Sequence, residues 1–204
     1  MKFLPGGLAR VVLIALEETG APYRAVRLRA DRDRPPQVVD GRHGASGGSL
    51  VLECRDGATA DLLAIICQLD RLHPGALLLP APLSPARETA VADLAWLAGT
   101  LHPLLCLAGQ AERFGDGGDG AMRLKQATEH RVVDAFARAE SRLASRPWLS
   151  GERWHVPDAL LSHCWGMRES AGIDFHRFPR LVDHFGRCLR RRSSRQSLDR
   201  ETFG

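Results

Sequence analysis

The sequence predicts an α/β domain followed by an all-helical domain, and three observations lead to this prediction. The segment 47–70 (GGSLVLECRDGATADLLAIICQLD) has the order strand, tight turn, short strand, helix. The segment 74–85 is rich in proline, which disrupts regular secondary structure. Beyond it, apolar residues recur every three or four positions, as in helices with one buried face. We therefore expect domains at 1–73 and 86–204, joined by a linker at 74–85.

The composition is that of a globular chain with a weak basic bias. Its 204 residues suffice for a real core, and 44% are hydrophobic while 25% are charged. The net charge of +4 comes from dispersed arginines, which favours acidic partners only weakly. The basic segment 187–195 lacks interleaved aromatic residues and a recognition motif, so we expect a solvated helix end there rather than a nucleic-acid site.

The cysteines and the apolar segments indicate a cytoplasmic protein. There are five cysteines, an odd number, without zinc-ligand spacing, which favours reduced thiols and no metal. The apolar residues Val11 to Leu16 are followed at once by Glu17 and Glu18, unlike a signal peptide. No apolar run approaches the roughly 20 residues of a membrane-spanning helix, so no membrane partner is expected.

In chain order, the first elements predicted are a short strand at Lys2–Leu4 and a helix at Leu8–Thr19. Gly20 and Pro22 end this helix, because glycine adopts the left-handed cap and proline cannot continue a helix. Tyr23–Leu28 alternates between apolar and polar residues and predicts a strand. The polar segment 29–46 predicts a loop.

The segment 47–70 then supplies a hairpin and a helix. Leu50–Cys54 predicts a strand, and Asp56-Gly57 is a strong hairpin signal because glycine accepts a positive φ. Asp61 lies where a helix N-terminus favours a carboxylate, and Asp61–Leu72 predicts a buried helix. We expect both helices of this domain to pack on one sheet that contains both strands.

The C-terminal half predicts helices throughout. A helix at Arg87–Phe114 is expected to kink near Gly99–His102, because Pro103 interrupts it. A glycine-rich connection and a long helix at Met122–Ser145 follow. Pro157 then predicts the first turn of a further helix, where a missing N–H has no cost.

Four segments of the chain resemble bacterial glutathione S-transferases. They are LARVVLIALEETGAPYRAVRL at 8–28, the strand–hairpin–helix at 47–70, WLAGTLHP at 96–103 and RPWLSGERWHVPDALL at 146–161. The resemblance extends over essentially the whole chain, in the family's order. It implies an N-terminal thioredoxin-like domain, a C-terminal helical bundle and a homodimer.

The same resemblance implies a glutathione site whose key side chains are replaced. The family's Ser, Cys or Tyr that activates the thiol falls on Leu8, so this catalytic position lacks its chemistry. The family's cis-proline falls on Leu50, where we expect a trans bond because a non-proline cis bond costs about 3 kcal/mol. The Glu-Ser pair that holds the γ-glutamyl end falls on Asp61 and Leu62.

The remaining predicted site residues contribute backbone groups or lie on the helix that lines the active cleft in the family. Gly7 and Ser49 would contact glutathione through the backbone. His102 is the second candidate catalytic residue, and Cys106, one turn later, is a candidate substrate-binding residue. As a metal-binding pair these two lack further ligands, and a buried structural histidine is the alternative for His102.

Two functions remain open on these residues. The first is a glutathione S-transferase-like protein that binds or acts on a small apolar electrophile through an altered, weak site for glutathione or a related thiol. If it is an enzyme, it would be a transferase or isomerase. The second is a non-catalytic protein of the same fold that binds a protein partner or an apolar ligand, in the manner of the stringent starvation protein.

Overall fold

The computed structural model describes residues 1–5, 7–28, 50–54, 57–111 and 118–203. Predictions for 29–49, including Gly47, Ser49 and the Ser49–Leu50 bond, and those for Asp56 and 112–117, lie outside the described residues. The chain forms two compact units, one of 1–79 with 190–204 and one of 80–189. The predicted domain bounds of 1–73, 74–85 and 86–204 stay a prediction.

The first unit contains a mixed sheet in the order β2-β1-β3-β4. Its strands are β1 Lys2–Phe3, β2 Val26–Arg27, β3 Leu50–Cys54 and β4 Gly57–Thr59. β1 pairs in parallel with β2, whereas β3 runs antiparallel to both β1 and β4. The β3–β4 pairing confirms the predicted hairpin, and Gly57 has the positive φ (128°) for which glycine is favoured.

β2 is shorter than the predicted strand at Tyr23–Leu28. Its ladder to β1 consists of the amides of Val26 and Leu28, which donate to the carbonyls of Met1 and Phe3 at 2.8 and 2.7 Å. Because β1 has only two residues, it offers β2 a partner for only two residues. The alternating pattern of Tyr23–Leu28 contains no information about that partner strand.

Two helices of the first unit match their predictions closely. α1 spans Ala9–Thr19, buries most of its residues and ends at Gly20 in the left-handed conformation. α2 spans Leu62–Leu72, and the Asp61 carboxylate caps it by accepting a hydrogen bond from the Ala64 amide at 2.9 Å. α1 and α2 pack against each other. A 3-10 turn at Pro74–Ala76 follows α2.

The second unit is helical in the part of the chain that the structure describes. Its α-helices are α3 Pro85–Trp96, α4 His102–Gly109, α5 Asp119–Arg142, α6 Val156–Gly166 and α7 Pro179–Arg190. Short 3-10 turns lie at Arg168–Ala171 and Phe175–Arg177. The core includes Phe136 and Trp165, whose rings meet edge to face with centroids 5.0 Å apart.

The irregularity predicted near Gly99–His102 is present as a π-helical segment, Leu97–Leu101, between α3 and α4. Pro103 has no amide hydrogen to donate, and its ring crowds the carbonyl four residues earlier. A wider π turn before the proline relieves this conflict while the chain stays helical. Such segments frequently lie at functional sites, and this one leads directly into His102.

The expectation that no apolar stretch approaches the length of a membrane-spanning helix was wrong, because one helical stretch is long and apolar enough. The continuous helical stretch Pro85–Gly109 has 25 residues and a mean hydropathy of 1.5 in its most apolar window. Core helices of globular units pass the same test. Leu94, Leu101 and Leu105 of this stretch are fully buried within the helical unit, and 33% of the most apolar window is buried.

A buried carboxylate organises the start of α6. Asp158 is fully buried and accepts hydrogen bonds from the amides of His155 (3.0 Å) and Leu149 (2.8 Å). The Nε2 atom of the equally buried His184 lies 2.9 Å from the same carboxylate. These contacts tie the preceding loop and α7 to the first turn of α6, so Asp158 is a structural residue.

The last helix, α8 at Arg192–Phe203, packs on α1 in the first unit. Arg10 on α1 pairs with the buried carboxylate of Glu201 at 2.6 Å. Just before α8, Arg191 donates to Glu18 at 2.8 Å. The basic segment 187–195 is therefore only partly the solvated helix end that its composition indicates.

Candidate functional site

At the start of α1, the described residues Gly7, Leu8 and Ala9 carry no polar side chain. Gly7 has a positive φ of 58° and leads into Leu8, which is half-buried. Leu8 precedes the first helical residue and makes no side-chain hydrogen bond to cap it. The first amides of a helix have no partner within the helix, and the helix dipole is positive at this end. These amides could therefore stabilise an anion weakly, without a hydroxyl or thiol.

Leu50 and Leu62 belong to the core of the first unit. Leu50 is 3% exposed in β3, opposite Phe3 of β1, and Leu62 is 4% exposed in the first turn of α2. Both side chains consequently present little surface to a ligand. Asp61 is exposed, and its carboxylate is engaged in capping α2. Ser49, the remaining predicted contact of this unit, lies outside the described residues.

In the helical unit, His102 and Cys106 lie next to each other on α4. The Cys106 Sγ atom is 3.7 Å from Nε2 and 3.8 Å from Nδ1 of the His102 ring. Burial lowers the pKa of His102 and raises the pKa of Cys106. The imidazole is therefore neutral at pH 7 and able to accept a proton, whereas Cys106 is a protonated thiol rather than a nucleophilic thiolate.

Two neighbours on α6 escaped the sequence analysis. The ring of His163 stacks on that of His102, with centroids 5.6 Å apart and an interplanar angle of 28°. Cys164 is fully buried, and burial raises its pKa, with a smaller effect from Cys106. Both α4 and α6 contain a His and a Cys, and this repetition was the one sequence feature that could have drawn attention to His163 and Cys164. Only the packing of the helices shows that the two pairs meet.

A metal site is not formed by this cluster. No group of three or more His, Cys, Asp or Glu side chains is arranged to hold a metal ion among the described residues. The stacked orientation of His102 and His163 places the two ring faces, rather than two nitrogen lone pairs, toward each other.

Known structures resemble the chain along its whole length, although no protein-family model matches it and no curated protein sequence matches it. A sphingomonad glutathione S-transferase complexed with glutathione matches with a TM-score of 0.82 at 24% identity, over 100% of both chains. A ternary complex of BphK, a bacterial glutathione S-transferase, matches with 0.83 at 23% identity, again over 100% of both chains. Maleylpyruvate isomerase from Pseudomonas aeruginosa PAO1 matches with 0.72 at 23% identity, over 98% of this chain and 97% of the other.

These likenesses establish the fold. The chain has an N-terminal thioredoxin-like domain followed by a helical domain, as the sequence predicted, and the resemblance to bacterial glutathione S-transferases is confirmed at the level of architecture. At identities below 25%, a shared architecture carries no substrate with it, because one fold hosts many functions.

Proposed function

We propose that this chain, which has the glutathione S-transferase fold, is a glutathione S-transferase-like protein with a weakened thiol site that binds or acts on a small apolar electrophile. One observation carries the proposal: Leu8 begins α1 without any side-chain hydrogen bond at the helix cap. A thiol at this helix end would meet backbone amides and the helix dipole alone. Thiolate formation would be favoured, but less than with a side-chain donor.

The missing side-chain donors set how much thiol activation and glutathione affinity should be lost. Without a side-chain donor the thiol should keep a pKa nearer to that of free cysteine, about 8.5, and be mostly protonated at neutral pH. Leu62 in place of a serine removes a hydroxyl donor to the γ-glutamyl carboxylate, and a hydrogen bond to a charged group contributes roughly 1.5–3 kcal/mol. Loss of this bond weakens glutathione binding by about 10-fold or more.

The reaction we propose is conjugation or isomerisation. The sphingomonad structure is a glutathione complex, and maleylpyruvate isomerase has the same fold, so both chemistries are represented among the structural relatives. In conjugation, the thiolate sulfur forms a bond to the electrophilic carbon and the leaving group departs with its electron pair. Glutathione would be held by backbone groups of Gly7, Ser49 and Leu50 and by Asp61.

We assign the second predicted catalytic role to His102, with Cys106 as a substrate-contacting residue. Burial lowers the pKa of His102, so its imidazole is neutral at pH 7 and has a lone pair for a proton, although it is a weaker base than an exposed histidine. The protonated Cys106 thiol and the neighbouring ring provide a surface of low polarity for an apolar molecule. A cytoplasmic homodimer without a metal completes the proposal, and it rests on the family resemblance.

A second candidate is a non-catalytic protein that binds an apolar ligand or a protein partner, as the stringent starvation protein does with this fold. The buried state of Leu50 and Leu62 favours this alternative. Where the family has groups that bind glutathione, these side chains fill the space with apolar atoms. The same experiment separates the two candidates.

The test is isothermal titration with glutathione on wild type, Leu8→Ser, Leu62→Ser and the double variant, beside a conjugation assay with a generic aromatic electrophile. We expect weak wild-type binding, little turnover, and gains in the double variant. Leu72→Ser, an exposed position at the far end of α2, is the matched control and should gain nothing.

Three outcomes separate the interpretations of that titration. If wild type binds glutathione weakly and the double variant binds it more tightly, the chain has a glutathione site that lost its side-chain donors, as proposed. Micromolar wild-type affinity with robust turnover refutes the weakened site in favour of a thiol site built from the backbone. If neither wild type nor double variant binds glutathione, the proposal fails and the ligand- or partner-binding alternative gains.

A further inference from the structure

The C-terminal end of α1 and the N-terminal half of α8 border a half-open cavity of ≈ 750 Å³ within the first unit. Its α1 side is formed by Leu16, Pro22 and Tyr23, and its α8 side by Arg192, Gln196 and Arg200. The volume falls within the range of small-molecule sites, about 300–1,000 Å³. The 11-residue α1 is about 16 Å long, so this cavity lies one helix length away from Leu8 and the proposed thiol site.

The two carboxylates of the cavity already have partners. Glu18 accepts hydrogen bonds from Arg191 at 2.8 and 2.9 Å and from the Ser193 hydroxyl at 2.5 Å. Glu17 accepts one from the Tyr23 hydroxyl at 2.5 Å and lies 3.4 Å from Arg200. The negative charges of Glu17 and Glu18 are therefore neutralised by these neighbouring residues.

Arg192 is the cation of the cavity without such a partner. It is exposed at the first turn of α8, and its side chain makes no ion pair or hydrogen bond within the described residues. The positive end of the α8 dipole adds to its charge. A guanidinium presents two parallel N–H donors to an oxyanion, which gives phosphate and carboxylate groups a defined geometry.

The rest of the cavity is suited to the body of an organic molecule. Pro22 contributes exposed aliphatic surface, and the half-buried Tyr23 contributes an aromatic ring with the Arg200 guanidinium 5.4 Å from its centroid. The Tyr23 hydroxyl is held by Glu17, which fixes the ring orientation. Burial and this carboxylate raise the pKa of Tyr23, so the phenol stays neutral and does not repel an anion.

We propose that this cavity binds a small organic anion with an aromatic or apolar body. Arg192 pairs with its oxyanion, a phosphate or a carboxylate, while Pro22 and Tyr23 contact the body. The oxyanion chemistry is common to both head groups, and the probes below distinguish them. The inference is independent of thiol binding at the opposite end of α1.

The chain offers a selective reporter, because Tyr23 is its one tyrosine. Full-length protein labelled with 3-fluorotyrosine should give one fluorine resonance, from the cavity itself. Phenyl phosphate, benzoate and glutathione are titrated in turn while that resonance is followed. We expect a saturable shift with phenyl phosphate or benzoate and none with glutathione. The tighter of the two probes identifies the head group.

Arg192→Gln and Arg195→Gln form a matched pair for this titration. Both residues are exposed on α8, but Arg195 does not line the cavity. We expect Arg192→Gln to weaken probe binding about 10-fold, equivalent to about 1.4 kcal/mol, and Arg195→Gln to change it less than about twofold. Arg192→Lys should retain part of the affinity, because lysine keeps the positive charge but lacks the two parallel N–H donors of a guanidinium.

Several results would overturn the proposal. They are the absence of any shift with both probes at millimolar concentration, or equal weakening by Arg192→Gln and Arg195→Gln. A shift with glutathione equal to that with phenyl phosphate would also do so, since it would show that the cavity does not select this chemistry. Thermal melting of each variant checks folding, and the wild-type titration stands whatever the variants do.

Discussion

The surroundings of Asp158 in the helical unit and the start of α1 in the first unit differ in whether they contain polar side chains with hydrogen-bond partners. Asp158 is fully buried, yet its carboxylate accepts two backbone hydrogen bonds and lies 2.9 Å from His184. Leu8 has no side-chain donor or acceptor at the helix end where the family has its thiol-activating group. The buried carboxylate of Asp158 has its hydrogen-bond partners, whereas Leu8 brings no polar side chain to the start of α1. On the proposed function, folding and thiol recognition rest on different residues and can be tested separately.

The largest expected effect is that of Asp158→Ala on stability. The substitution leaves two buried amides and the buried His184 without their acceptor, and such losses cost about 3–5 kcal/mol. Denaturant unfolding measures the change. Asp158→Asn is the control, because its one amide oxygen can still serve Leu149 and His184 while its NH2 replaces the acceptor of the His155 amide, and it should lose less. Equal losses in both variants would contradict a capping role for this carboxylate.

A smaller loss of stability is expected for Leu62→Ser than for Asp158→Ala. Leu62 is 4% exposed, so the serine leaves a cavity and buries a hydroxyl, for a cost of about 2–4 kcal/mol. Leu72, on the same helix, is 42% exposed. Leu72→Ser should therefore change the free energy of unfolding by less than about 0.5 kcal/mol. Thermal and denaturant unfolding compare them. If the two variants were equally stable, Leu62 would not be a core residue.

The smallest expected effect concerns the pH dependence contributed by His102. Burial lowers the pKa of His102 in the folded state, so the unfolded chain binds the proton more tightly. Stability therefore falls as the pH drops through about 6.5, the ordinary histidine pKa, toward the lower folded value. His102→Gln should flatten this part of the profile. Identical slopes in wild type and His102→Gln would exclude the shift.

Local sequence patterns were sufficient for elements whose boundaries are set by their own residues. α1 and α2 lie within one residue of their predicted bounds, because Gly20 and Asp61 end and begin them through backbone conformation and capping. Pro103 likewise predicted the irregular segment before α4, since a missing N–H acts locally. The predicted kink gave no indication that the chain would remain helical through a π turn.

Features that depend on distant partners were beyond the sequence. The length of β2 is set by the two residues of β1, and the stacking of His163 on His102 depends on how α4 and α6 pack. The pairing of Arg191 with Glu18 requires α8 to return to α1, across most of the chain length. The proposed anion cavity arises from that return, so no motif marks it.

The pH profile of kcat/KM for conjugation of glutathione to a generic aromatic electrophile tests the central claim most directly. With Leu8 at the start of α1, the wild-type value should be small and rise with pH toward about 8.5, as for an unactivated thiol. Leu8→Ser should move the rise to lower pH by restoring a donor. A wild-type profile that reaches its plateau near neutral pH with rapid turnover would contradict the claim that this site activates a thiol only weakly.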